Sequence, residues 1–174
     1  IYSTPEGGYF MWAAYQFDGG DKKHGDTMAV VTAEVDLDQA LEYWRKREPK
    51  SFRSTLFPRG VGGEHFAWTR KNPPNTVERS LALLGQTADG GRVRDVAAFL
   101  AMYVEKDAKV RLCGRGPAGV IAAYAALLVP GKVAEVVILD PPTSHRDGPH
   151  FLNVLRVLDI PEALGLLAPD VTLT

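Results

Sequence analysis

Short apolar runs alternate along the chain with longer stretches that carry one apolar face. The apolar runs predict strands at residues 8–17, 28–35, 52–57, 110–113, 133–139 and 171–174. The stretches with helical spacing predict helices at residues 36–48, 76–84, 92–104, 119–128 and 149–167, the last broken at Pro161. Strands and helices therefore alternate from residue 27 onward, as in right-handed βαβ units. We expect an α/β fold of three layers with a mostly parallel sheet.

The length of 174 residues suits one domain. Residues 1–26 are treated separately, as an N-terminal strand followed by a polar turn cluster at 18–26 that forms a hairpin or a loop. Residues 27–174 form the main domain. Ligands of mostly parallel sheets bind at the carboxyl ends of the strands, so the loops at 34–38, 58–68, 114–119 and 140–150 are the ones to examine.

Charge and cysteine content narrow the classes of partner. Lys and Arg number 20 and Asp and Glu number 21, so the net charge is −1. That balance gives no electrostatic reason to expect a nucleic acid or an acidic membrane surface as partner. Cys113 is the single cysteine, and the four histidines lack the spacing of a helical metal pair. We expect no disulfide, no metal site and no membrane span, and we expect Cys113 to be a small core residue.

A glycine-rich turn, Gly114-Arg-Gly-Pro-Ala-Gly119, follows a predicted strand and opens a predicted helix. One interpretation is a dinucleotide fingerprint, in which the glycines let a pyrophosphate approach the helix N-terminus. Gly114, Gly116 and Gly119 would then cradle the cofactor, and Asp140 at the end of the next strand would hold a ribose hydroxyl. The second interpretation is a strand–elbow–helix of the G-x-S-x-G kind.

Several segments support the second interpretation, most strongly across residues 83–127. They are the loop at 57–62, the segments at 83–85 and 92–100, the turn and helix at 110–127, and the segments at 167–169 and 171–174. Together they resemble α/β hydrolases, in particular the acetyl xylan esterase-like and dienelactone-hydrolase-like members. The resemblance covers residues 27–174 and implies a serine nucleophile in the middle of the elbow, activated by an acid and a histidine.

The chain departs from that pattern where the chemistry would occur. The nucleophile position is Gly116, which has no side chain to attack a carbonyl. Pro117 follows and has no N–H to donate to an oxyanion. The segment at 34–38 is acidic where the resemblance implies an oxyanion loop. The acid and histidine of the family come after its last strands, whereas this sequence stops near the seventh.

The resemblance and these departures together imply an incomplete, esterase-like domain without a nucleophile and without a cofactor. It would serve as a binding or scaffolding part that works with the rest of a longer polypeptide or with another subunit. One alternative is an active carboxylic-ester hydrolase completed by residues outside this chain. The other is the nucleotide-cofactor binder described above.

No catalytic residue is assigned from the sequence, but a pocket for a small-molecule ester or carbohydrate can be outlined. Its candidates are Arg59, His65, Arg115, Gly116, Pro117, Asp140 and His145. Arg115 could receive a ligand carboxylate or phosphate at the helix N-terminus. The structural alternatives are that Arg59 bonds backbone carbonyls, that Asp140 caps a turn and that local hydrogen bonds order the loop around His145.

Overall fold

The computed structural model describes residues 14–18, 27–31, 42–43, 46–47, 52–61, 76–104 and 108–174. The acidic segment at 34–38, the candidate His65 and most of the loop at 58–74 lie outside these residues, as does most of the predicted helix at 36–48. Residues 42–43 and 46–47 of that helix are helical, and Lys46 pairs with Glu42 one turn away at 2.6 Å.

Six strands of the described chain form one sheet. They are β1 (Ala14–Asp18), β2 (Thr27–Val31), β3 (Phe52–Phe57), β4 (Val110–Arg115), β5 (Val133–Leu139) and β6 (Thr172–Leu173). Their order across the sheet is β1-β3-β2-β4-β5-β6. Every pair is parallel except β1 and β3, which run antiparallel. The predicted α/β fold with a mostly parallel sheet is confirmed.

The hairpin alternative for the polar turn at 18–26 is wrong. A hairpin would pair β1 with β2, but β1 pairs with β3, from Ala14 opposite Phe57 to Asp18 opposite Arg53. The segment between β1 and β2 therefore links two strands that are separated by β3. A parallel β2–β3 pair leaves β3 with one free edge, and β1 occupies that edge.

The helices of the described chain are α1 (Thr76–Leu83), α2 (Ala88–Tyr103), α3 (Pro117–Leu128) and α4 (Ile160–Leu167). Helix α2 begins four residues before the predicted start at 92, because the Thr87 side chain accepts a hydrogen bond from the Gly90 N–H at 3.0 Å. The predicted helix at 149–167 is wrong over its first part: only α4 is α-helical, and a short 3₁₀ turn occupies Val154–Arg156. Pro161 lies in the first turn of α4 and does not break a helix.

The main core lies between the sheet and helices α2 and α3. Leu100 of α2, Ile121 of α3, Leu112 of β4 and Val136 of β5 are at most 1% exposed and belong to one apolar cluster. Cys113 points to the opposite face and packs in a second cluster with Val137, as the alternation of side chains along a strand requires. Cys113 is fully buried, so the expectation of a core cysteine is confirmed. Strand β4 is thus buried on both faces, and its carboxyl end leads into the glycine turn.

Candidate active site at the strand β4 elbow

The turn between β4 and α3 has the backbone of a sharp elbow centred on Gly116. Gly116 has φ 56° and ψ −131°, a conformation that side chains disfavour and glycine adopts without strain. Its N–H donates to the carbonyl of Leu139 at 2.6 Å, and its own carbonyl accepts from the Gly119 N–H at 3.2 Å. The elbow is therefore fastened to the end of β5 as well as to the first turn of α3.

The flanking glycines are required by close packing. A Cβ on Gly114 would lie 2.5 Å from the backbone N of Gly119, and a Cβ on Gly119 would lie 2.4 Å from Cγ2 of Ile138. By contrast, a Cβ on Gly116 would meet no atom closer than the Asp140 carbonyl oxygen at 4.0 Å. Gly114 and Gly119 thus let the strand and helix backbones touch, and only at Gly116 does the turn leave room above the backbone.

Pro117, the first residue of α3, leaves the elbow without a backbone N–H at that position. Pro117 occupies the first turn of the helix, where its fixed φ suits the backbone and its missing N–H costs no helical hydrogen bond. An N–H at that position would point toward an oxyanion formed at the elbow. The elbow therefore has neither a nucleophilic side chain at Gly116 nor a backbone donor at Pro117.

Arg115 and Asp140 face each other across the ends of β4 and β5. The Nε of Arg115 donates to Oδ2 of Asp140 at 3.0 Å, and the two side chains are 57% and 73% exposed. The guanidinium that was predicted to receive a ligand anion thus already has a carboxylate partner. The same contact engages Asp140, which the dinucleotide interpretation assigns to a ribose hydroxyl. An ion pair this exposed contributes at most about 1 kcal/mol, so a ligand could displace it.

His145 is directed into the protein. It is 7% exposed, and its Nδ1 lies 2.8 Å from the carbonyl oxygen of Pro149, which can only accept. Nδ1 therefore carries the proton in the neutral ring, and Nε2 accepts from the Tyr124 hydroxyl at 2.8 Å. The ring also meets Tyr124 and Phe151 edge-on. Burial, together with the negative charge of Asp159, raises the pKa of Tyr124 to about 12.

Asp159 organises the loop that carries His145. Its carboxylate accepts from the Ser144 hydroxyl at 2.6 Å, from the His145 N–H at 2.7 Å and from the Ile160 N–H at 2.8 Å. These hydrogen bonds, the Ser144 hydroxyl first, hold the pKa of the Asp159 carboxyl below its ordinary value. Ser144 is thus bonded to Asp159, although His145 is its neighbour in sequence.

Arg59 takes part in a network that the sequence did not reveal. Its Nε and Nη2 donate to both carboxylate oxygens of Asp95 on α2, at 2.9 and 2.6 Å. The Arg59 carbonyl accepts from Arg92, which also pairs with Asp89 at 2.6 Å, and Asp89 accepts from the His150 N–H at 2.7 Å. The network joins the end of β3, helix α2 and the loop after β5. Only the pair of Asp89 and Arg92 could have been predicted from the sequence, because residues three apart lie on one face of a helix.

The candidates thus fall into separate groups. Arg115, Gly116, Pro117 and Asp140 meet at the elbow, whereas Arg59 bonds to α2 and His145 bonds to α3. Within the described ranges, no three His, Cys, Asp or Glu side chains come close enough to hold a metal ion. No helix in the part of the chain that was searched has the length and apolar character of a membrane span.

Solved structures share the fold of this chain. A carboxylesterase from Bacillus cereus superposes with a TM-score of 0.52 over 93% of this chain and 82% of its own, at 15% identity. Rv0554 from Mycobacterium tuberculosis gives a TM-score of 0.50 over 89% of this chain and 46% of its own, at 16% identity. The chain has an α/β-hydrolase-like fold. At these identities the likeness concerns the fold alone.

A further match is MGS-M2, an α/β hydrolase enzyme from a Medee basin deep-sea metagenome library. It has a TM-score of 0.47 and 12% identity, and the alignment covers 72% of this chain and 39% of that protein. The chain thus spans less than half the length of several of the solved structures it matches. Protein-family models and curated protein sequences give no match.

Proposed function

We propose that this chain is an esterase-like α/β-hydrolase domain that has lost serine-hydrolase chemistry at its elbow and serves as a binding or scaffolding part of a larger protein. The observation that carries the proposal is Gly116. Its backbone angles, φ 56° and ψ −131°, support the interpretation of this turn as a nucleophile elbow, and glycine has no side chain to act there. Pro117 supports the same proposal, because it removes the backbone donor that an acyl-transfer transition state uses.

Neighbouring groups do not supply a substitute nucleophile among the described residues. Cys113 is fully buried in β4, three positions before Gly116, and so cannot reach a substrate at the turn. The Ser144 hydroxyl donates to Asp159, whose lowered pKa makes that carboxylate a weak base, and the His145 ring bonds to Tyr124 and Pro149 instead of to Ser144. A base that activates a nucleophile must contact it directly.

The open space above Gly116 favours a binding role. A missing side chain leaves room for a ligand group beside the exposed pair of Arg115 and Asp140. The solved structure from Bacillus cereus is a carboxylesterase, which supports a small ester as the ligand class. The protein partner of this domain would be the rest of a longer polypeptide or another subunit.

The first test is turnover of p-nitrophenyl acetate by the purified chain, with heat-denatured protein as background. We expect no release of p-nitrophenol above background, because no group at the elbow can form an acyl-enzyme. Turnover by the folded chain that disappears in Gly116→Val, but persists in the surface control Gly165→Ala, would contradict the proposal. It would favour the active esterase alternative.

A thermal-shift titration addresses the cofactor alternative. A ligand that binds the folded state raises its melting temperature by mass action. We expect NAD, NADP and FAD at millimolar concentration to leave the melting temperature unchanged. The reason for this expectation is Pro117, which removes an N–H from the first turn of α3, where a pyrophosphate would accept its hydrogen bonds. A saturable rise in melting temperature with any of the three would overturn it.

A further inference from the structure

A groove of about 600 Å³ opens beside the loop that follows β5. It is lined by residues 144, 146, 155–159 and 162, so the loop, the 3₁₀ turn and the start of α4 all contribute. The groove is built from groups that the elbow does not use. Its volume lies in the range of natural small-molecule sites.

The apolar part of the groove is exposed to solvent. Leu155 is 48% exposed and Val157 is 82% exposed, although both are aliphatic. Leu155 lies in the 3₁₀ turn and Val157 directly after it, and Asn153 before the turn adopts a left-handed conformation with φ 58°. Phe151, two residues before Asn153, packs instead against Tyr124 and His145. The chain thus sends one apolar residue inward and leaves two at the groove.

Two arginines and two acids line the groove, and they differ in how far the protein already engages them. Two acids line it, but each is engaged internally: Asp159 accepts from Ser144, His145 and Ile160, and Glu162 accepts from the Asp159 N–H at 3.0 Å. Arg146 and Arg156 also line the groove, and neither has an ion-pair partner among the residues that the structure describes. The groove therefore has no net formal charge, and the hydrogen-bond donors left for an anionic ligand are those of the two arginines.

We propose that this groove binds a small amphiphilic anion. A carboxylate or a phosphate monoester would sit between Arg146 and Arg156, because the planar guanidinium fork matches both oxyanions. A short aliphatic chain would cover Leu155 and Val157 and remove their surfaces from water. The proposal concerns a site away from the elbow, so it holds or fails independently of the proposed function.

Calorimetric titration of the full chain with four eight-carbon probes tests this assignment. Octanoate and octyl phosphate should bind saturably. Octanol, which has the same chain without the charge, should bind at least about ten-fold more weakly, and octyltrimethylammonium should not bind. Arg146→Gln and Arg156→Gln should each weaken octanoate binding about three- to five-fold, as expected for partly exposed ion pairs. Val157→Ser should weaken it as well.

The matched control is Arg79→Gln, which removes an exposed arginine on α1, outside the groove. We expect it to bind octanoate like the parent chain. Equal binding of octanol and octanoate would overturn the proposal, since the arginines would then contribute nothing. So would an unchanged affinity in the Arg146→Gln, Arg156→Gln double variant once its melting temperature shows that it is folded.

Discussion

At the scale of single residues, two helical glycines have opposite roles. Gly119 lies in the first turn of α3, where an added Cβ would come 2.4 Å from Cγ2 of Ile138. Gly165 lies inside α4, where an added Cβ would meet nothing within 4 Å. Both residues are glycine, but strand β5 leaves no space for a side chain at Gly119, whereas Gly165 faces solvent.

Alanine substitution should therefore act in opposite directions at these positions. Gly119→Ala should lower the free energy of unfolding by about 2–3 kcal/mol, because the new methyl group forces α3 away from β5. Gly165→Ala should raise it by about 0.5–1 kcal/mol, because alanine loses less backbone entropy in a helix. Urea unfolding of the two variants beside the parent chain measures both. Similar effects in the same direction would contradict the packing described for the elbow.

At the scale of an element, α4 depends on its cap. Asp159 and Glu162 form a capping box at its N-terminus, and Ser144 contributes from the preceding loop. The sequence predicted helix from residue 149 because apolar residues continue through 151–158. The structure begins the α-helix at Ile160, because the cap and Pro161 both favour a start there. Local capping chemistry thus decided a boundary that apolar spacing alone placed too early.

The cap should appear in the pH dependence of stability. The folded state holds the pKa of Asp159 below its unfolded value, so its contribution is present above the unfolded pKa and is lost as pH falls through the folded pKa. Ser144→Ala removes the largest cause of that shift. We expect the variant to be less stable at neutral pH and to lose less stability between pH 5 and pH 2, roughly the span over which a paired carboxylate protonates.

Urea unfolding at a series of pH values measures this difference in slope. Asp159→Asn is the reference, since it removes the titrating group itself and should flatten this part of the profile further. Parallel acid profiles for Ser144→Ala and the parent chain would show that the hydroxyl does not set the pKa of Asp159.

At the scale of the whole molecule, one ion pair joins parts of the chain that lie 36 residues apart. Arg59 at the end of β3 and Asp95 on α2 are 15% and 9% exposed in their side chains. Gly91 makes room for the pair, since a Cβ there would lie 2.6 Å from the Arg59 side chain. The pair between Lys46 and Glu42 is 75% and 63% exposed and offers a comparison on the same molecule.

Loss of these two ion pairs should lower the free energy of unfolding by very different amounts. Asp95→Ala leaves the guanidinium of Arg59 nearly buried without its carboxylate, so we expect the free energy of unfolding to fall by about 3 kcal/mol. Glu42→Ala should lower it by at most about 0.5 kcal/mol, because water screens the exposed pair. Urea denaturation of both variants gives the comparison. A small effect for Asp95→Ala would mean that the network does not hold β3 to α2.

The sequence predicted much of the fold and less of the site. The sequence located β3, β4 and β5 to within two residues, most clearly β5, which is nearly continuously apolar as buried parallel strands are. Strand pairing was harder: β1 pairs with β3, and no local pattern in residues 14–18 distinguishes that edge from the edge of β2. Of the candidate residues, His65 lies outside the described chain, and neither Asp95 as the partner of Arg59 nor Tyr124 as a partner of His145 was foreseen.

By itself the sequence determined the alternation of strands and helices and the lack of a nucleophile and of a backbone donor at Gly116 and Pro117. Gly116 has no side chain and Pro117 no N–H in any fold, because these are covalent properties. Only the tertiary structure decided which carboxylate meets which guanidinium, as for Asp140 with Arg115 and Asp95 with Arg59. Such pairs depend on the distance between elements in space. Packing of the whole chain sets that distance, and local sequence does not encode it.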